Sequence, residues 1–182
     1  RIAAWAPVQQ RLEPLAGKTV EADRILTNFR IFQAGAFSLD VRQAHDGPQF
    51  HPVLMSAALR STLEDDADAP EDGHEPPDAL KDQGEHALLA PEMQNQFLRA
   101  FNQDGLATRP SYVLARNTYL VVEPELQRAL DVVKQAQRAS ATERRSFVQN
   151  PRAALVQALP GGNETTGTIF IETRQYLERV TE

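Results

Sequence analysis

Apolar and polar positions recur along this chain in two rhythms, and each predicts an element. From Ala36 to Arg42 the alternation is strict, with Phe37, Leu39 and Val41 on one side and Ser38, Asp40 and Arg42 on the other. A period of two marks a half-buried strand. Tyr112–Leu114 and Tyr119–Val122 flank Ala115-Arg116-Asn117-Thr118, which predicts a β-hairpin with Asn117 in the left-handed turn conformation. Asp46-Gly47-Pro48 signals a turn, and the apolar cluster Phe50, Val53, Leu54 and Met55 behind it fits a buried strand or a short helix. Thr168–Glu172 is short, β-branched and preceded by Gly167, and is read as a last strand.

The second rhythm is helical. Behind Pro124, residues Leu126, Ala129, Leu130, Val133 and Ala136 share one face, predicting a helix that ends near Ser140. Behind Pro91, with Glu92 in the first turn, Met93, Phe97, Leu98 and Phe101 do the same, and Gly105 is the expected stop. A third helix is expected over 141–148, closing on Phe147 and Val148. Thr142 with Arg145 does not form a capping box, because the third position lacks Glu or Gln. Asn150 then reads as an N-cap and Pro151 as the first helical residue, with Ala153, Ala154, Leu155, Ala158 and Leu159 following and Pro160-Gly161-Gly162 as the stop. Near the start, Val8, Leu12 and Leu15 suggest a short helix from Pro7 that Pro14 and Gly17 end. Ile25, Leu26, Phe29, Ile31 and Phe32 form another apolar stretch, which Gly35 is expected to break. No repeat and no heptad seam appears. The order of elements predicts an α+β fold, helices packed on a small antiparallel sheet, as one domain over 1–182 interrupted by an acidic loop at 61–87.

Composition sharpens that layout. The 182 residues suffice for one ordinary core without disulfides or a structural metal. The net charge of -6 is uneven: residues 61–97 hold one Lys or Arg against eleven Asp and Glu, and the remainder is net positive. Residues 64–78 read EDDADAPEDGHEPPD, with eight acids, three prolines and no base. Like charges repel there and little apolar area is available to offset the entropy of ordering, so an exposed, mobile loop is expected.

Several chemistries are excluded outright. The absence of cysteine removes disulfide scaffolds, thiolate zinc sites, iron–sulfur clusters and cysteine nucleophiles, and fits a reducing cytoplasm. No stretch approaches the roughly 18–20 apolar residues that span a bilayer, and no secretory leader opens the chain. The first residue is Arg rather than Met, which reads as a domain cut from a longer protein. There is no phosphate-loop or dinucleotide fingerprint, and Gly161-Gly162-Asn163 follows a helix rather than a strand. No serine elbow and no paired histidine motif occurs. His45, His51, His74 and His86 are expected to be solvated loop residues rather than metal ligands. No catalytic residue, cofactor or small-molecule substrate is therefore assigned.

What remains is binding. Arg138, Arg144, Arg145 and Arg152 lie within fifteen positions, near two helix starts, and are candidate contacts for nucleic-acid phosphate or a protein partner. The N–H groups opening the helix at Asn150 suit the same task, and Tyr112 and Tyr119 on the hairpin are candidate stacking faces. The acidic loop supports a different function, a protein–protein adaptor that meets a basic partner.

One stretch carries a resemblance. Arg144-Arg145-Ser146-Phe147-Val148-Gln149-Asn150-Pro151-Arg152-Ala153-Ala154-Leu155, followed by Ile169-Phe170-Ile171-Glu172-Thr173-Arg174-Gln175-Tyr176-Leu177-Glu178-Arg179-Val180, is similar to the region upstream of the ATPase core in some bacterial Swi/Snf-type helicase-like proteins. Those carry an R-x-F-x-x-N-P-R-A-x-L helix pair and then an F-x-E-T-x-x-Y-x-x-R-V strand. The likeness extends over about 112–180, and residues 1–87 have no counterpart in it. It implies a parent that is an ATP-driven translocase on duplex DNA, with this chain as a non-catalytic accessory part serving the motor domain of the same polypeptide. The family's ATP-binding lysine and acidic helicase box have no counterpart here, so no catalytic role carries over.

Overall fold

A computed structural model describes residues 29–56 and 87–172. The predicted opening helix and the acidic loop lie outside the described residues. Four strands and five helices follow in the order β1 (Arg30–Ala44), β2 (Gly47–Ser56), α1 (Pro91–Gln103), β3 (Ser111–Ala115), β4 (Thr118–Val122), α2 (Pro124–Arg138), α3 (Ala141–Gln149), α4 (Pro151–Ala158) and α5 (Asn163–Ile169). The α+β class is as the sequence predicts.

The sheet runs β2-β1-β4-β3. Its two outer pairs are antiparallel hairpins, but the central β1–β4 pair is parallel, so the sheet is mixed rather than wholly antiparallel. Ile31 and Phe32, the described end of the apolar 25–32 stretch, and the 36–42 strand are not separated by Gly35. They join in β1, which is fifteen residues long. An irregularity in the ladder between Ala34 and Ala36 replaces the expected break. Arg30–Ala34 pair with β4 and Ala36–Ala44 with β2, while Ala34 at the changeover pairs with both, opposite Val122 of β4 and Ser56 of β2. Glycine in a strand often marks such a bulge, where the chain bends and changes partner instead of stopping. The 50–55 cluster resolves as β2.

One core forms beneath the sheet. Phe37, Leu39, Val41, Phe50 and Leu54 from the long hairpin meet Tyr112, Leu114, Leu120 and Val122 from the short one. Leu126, Ala129, Leu130 and Val133 of α2 pack against them, as the spacing predicts. From α1, Phe97 stands edge-on to Tyr112 at 5.2 Å. Each buried aromatic or branched side chain contributes about 1.5–3 kcal/mol relative to exposure.

One local expectation fails. The Thr168–Glu172 strand is absent: Asn163–Ile169 is helical, and only Phe170 makes a β-bridge, to Phe37. Helical spacing places Thr166 and Ile169 together in the interior, both 0 % exposed, and that packing overrides the β preference of the run. The chain then lands on the edge of β1, where Ile171 N–H donates to the Phe37 carbonyl at 2.9 Å. Thr142 with Arg145 forms no capping box, as read, but helix α3 has a full one two positions earlier: Ser140 Oγ accepts from Glu143 N–H, and the Glu143 carboxylate accepts from Ser140 N–H at 2.9 Å. Asn150 caps α4 as predicted, accepting from Ala153 N–H at 3.0 Å, and Asn117 takes φ 58° in its hairpin turn.

Candidate nucleic-acid or partner interface

The four candidate arginines end up in four different situations. Arg144 belongs to the interior. On α3 it shares a face with Phe147 and Val148, three and four positions on, and only 9 % of it is exposed. Its Nη2 donates to the Asp46 carbonyl in the β1–β2 turn, with the Asp46 carboxylate 3.5 Å away, and Nη1 donates to the Gln137 carbonyl at 3.4 Å. Its Nε is buried without a partner, so burial beneath the turn leaves no edge open to phosphate. Arg138, at the end of α2, is exposed but donates to the Asp104 carbonyl at 3.0 Å. Arg152 at the start of α4 pairs with Glu172, Nε to Oε1 3.5 Å. Arg145 is exposed and makes no bond or ion pair among the described residues.

The two tyrosines separate as well. Tyr112 is 4 % exposed, and its hydroxyl accepts from Arg109 N–H at 3.1 Å. Burial raises its pKa above the usual 10.0, with the Arg109 hydrogen bond opposing. It is a core residue with no stacking face to offer. Tyr119 lies on the opposite side of the sheet, half-buried, its ring 5.7 Å from Phe29.

His45 is exposed in the β1–β2 turn. His51 is half-buried on β2, opposite Asp40, with its Nδ1 buried and unpartnered. Burial lowers its pKa, Arg42 lowers it further, and Asp40 opposes both. Among the described residues no three His, Asp or Glu side chains gather in a way that would hold a metal. His74 and His86 lie outside the described residues.

A polar cluster unread in the sequence pins the 104–110 loop to α2. Lys134 is 4 % exposed, reaches the Gly105 and Ala107 carbonyls at 3.4 Å each, and sits 4.7 Å above the Phe101 ring. Asp131 Oδ1 accepts from Thr108 N–H at 2.5 Å, and Asp104 pairs with Arg109. Desolvation lowers the Lys134 pKa, partly opposed by Asp104 and Asp131. The signal was in the spacing: Lys134 falls four residues after Leu130 and eight after Leu126, inside the apolar stripe. Buried this deeply, its amine braces a loop rather than meeting a substrate.

Comparison of the chain with family models, with curated proteins and with solved structures finds no match.

Proposed function

We propose that this chain is a non-catalytic accessory domain of a Swi/Snf-related, helicase-like ATPase, docking on the motor or guiding duplex DNA beside it. The resemblance suggests the parent; the placement of its residues supports the role. Phe147, Leu155 and Phe170 lie in the core, Asn150 caps α4, and Pro151 opens it. Arg152 and Glu172, one from each half of the motif, face each other. Of the motif's described charged residues, Arg145 alone has no ion pair or hydrogen bond within the described fold, and it is the residue left to meet another molecule.

Titration of duplex DNA at two salt concentrations tests this. The chain is expected to bind at low salt, and Arg145→Ala is expected to weaken binding and to reduce the log–log salt slope by about one. Unchanged affinity in that variant removes Arg145 from the interface. The parent is tested by reading the gene past codon 182. A downstream ATP-binding lysine motif supports it, and an immediate stop codon rejects it.

A further inference from the structure

The loop between α1 and β3 holds two buried oxygen atoms that bond to nothing among the described residues. The Asp104 side chain is 9 % exposed; its Oδ1 pairs with Arg109, and its Oδ2 is unpartnered. Thr108 is 7 % exposed; its N–H is taken by Asp131, and its hydroxyl is unpartnered. Buried polar side-chain atoms in folded proteins are in large majority hydrogen-bonded, to protein or to ordered water, because an oxygen removed from water without a new bond is costly.

Lys134 brings the matching donor. Its ammonium, on a side chain 4 % exposed, reaches the carbonyl of Gly105, which follows Asp104, and that of Ala107, which precedes Thr108. Both contacts are 3.4 Å, long for a charged donor, whose bonds to oxygen commonly run to about 2.8 Å. An ammonium has three protons, and the third has no acceptor among the described residues. Burial lowers the Lys134 pKa and the Asp104 and Asp131 carboxylates oppose it, so both carboxylates lie within electrostatic reach of the amine. One unspent donor and two unspent oxygens thus accompany the single stretch Asp104–Thr108.

The chemistry of that set selects the ligand. A metal cation is disfavoured by the ammonium already facing these oxygens, and an anion by the two carboxylates. A small neutral group that both donates and accepts satisfies all three atoms. We infer that an internal water is bound here, accepting from Lys134 Nζ, donating to Asp104 Oδ2 and bonded to Thr108 Oγ1. Three bonds to otherwise unsatisfied groups is the usual complement of a buried water. The brace between α2 and the 104–110 loop, which places Arg109 N–H against the Tyr112 hydroxyl, is then completed by solvent. The site is independent of the accessory-domain reading and uses none of the four candidate arginines.

Two measurements on the full chain test this. A high-resolution crystal structure is expected to show a water within about 3.2 Å of Thr108 Oγ1 and Asp104 Oδ2. Thr108→Val, which keeps the shape of the side chain and deletes the hydroxyl, separates the two states of that oxygen in solution. A water-bonded hydroxyl predicts a shift of the folding equilibrium roughly fivefold toward the unfolded chain, the equivalent of one ordinary hydrogen bond. A hydroxyl with no partner predicts no loss, or a gain. Thr108→Ser keeps the hydroxyl and is expected to retain the water cross-peak to the Thr108 or Arg109 amide in rotating-frame NOE spectra, while Thr108→Val loses it. A dry site in the crystal structure overturns the proposal, and so does a Thr108→Val variant as stable as wild type or more so.

Discussion

Arg144 donates to the main-chain carbonyl of Asp46, ninety-eight positions earlier, and so fastens α3 to the tip of the β1–β2 hairpin. Gly47, next in that turn, has φ 113°, and a Cβ there would stand 3.0 Å from Arg144 Nη2 and 3.3 Å from Ala141 Cβ. The turn is held by a residue too large to be moved and a residue too small to be enlarged.

Gly47→Ala is therefore expected to destabilise the protein by about 1–3 kcal/mol, through its positive φ and the crowding together. Arg144→Ala removes charge-assisted hydrogen bonds worth about 1.5–3 kcal/mol. Because Arg144 supplies much of the crowding, the double variant is expected to lose less than the two single losses added, by at least about 0.5 kcal/mol. Urea unfolding midpoints of the four proteins measure this, and strict additivity contradicts it.

Ser140→Ala deletes the α3 cap at a cost of about 1 kcal/mol. Glu143 adds a pH signature. Hydrogen bonds from Ser140 hold its pKa below the usual 4.5, so their contribution is present above that value and fades as pH falls through the depressed one. The gap in stability between wild type and Ser140→Ala should narrow in acid, as thermal melts between about pH 6 and pH 3 will read.

Lys134 behaves in the opposite sense. Its pKa in the folded state lies below the ordinary 10.5, so between the two values the unfolded chain holds the proton more often than the folded one. Stability contributed by this group rises with pH across that window. Relative to Lys134→Met, wild type should gain stability as pH climbs toward the ordinary 10.5. A flat difference would contradict the buried placement of the amine.

The Arg152–Glu172 pair should matter little to stability. Its side chains are 44 % and 34 % exposed and 3.5 Å apart, a geometry in which solvent screens most of the attraction. Arg152→Ala is expected to change unfolding free energy by less than about 0.5 kcal/mol. A loss above 1 kcal/mol would show that joining α4 to the 170–172 segment is structurally required.

How far the fold could be read from sequence follows the reach of each interaction. The Phe37-Leu39-Val41 strand, the Asn117 turn, the Pro124 helix and the Asn150 cap are decided within a few residues, and each was legible. Gly35 was misread because a bulge and a break share one local signature, and only the separate partners on either side distinguish them. Thr168–Glu172 was misread because the core contacts of Thr166 and Ile169 outweigh local preference. The candidate site divides the same way. Arg145, Arg138 and Arg152 are exposed as expected, whereas the task of Arg144 depends on Asp46, and no local pattern announces that partner. The face that holds Tyr119 needed the sheet order to be seen, because Ile31 lies 88 positions before its cross-strand neighbour.

The change of partner along β1 also sets an order of events. Ala36–Ala44 needs only the neighbouring β2, through a two-residue turn, so this half can zip within microseconds once nucleated. Arg30–Ala34 must wait for Thr118–Val122 to arrive from far along the chain, at the entropic cost of closing a long loop. One continuous strand is thus early at one end and late at the other. The parallel seam is the pairing with the larger closure cost, and substitutions there should slow folding only if the seam is already formed at the rate-limiting step.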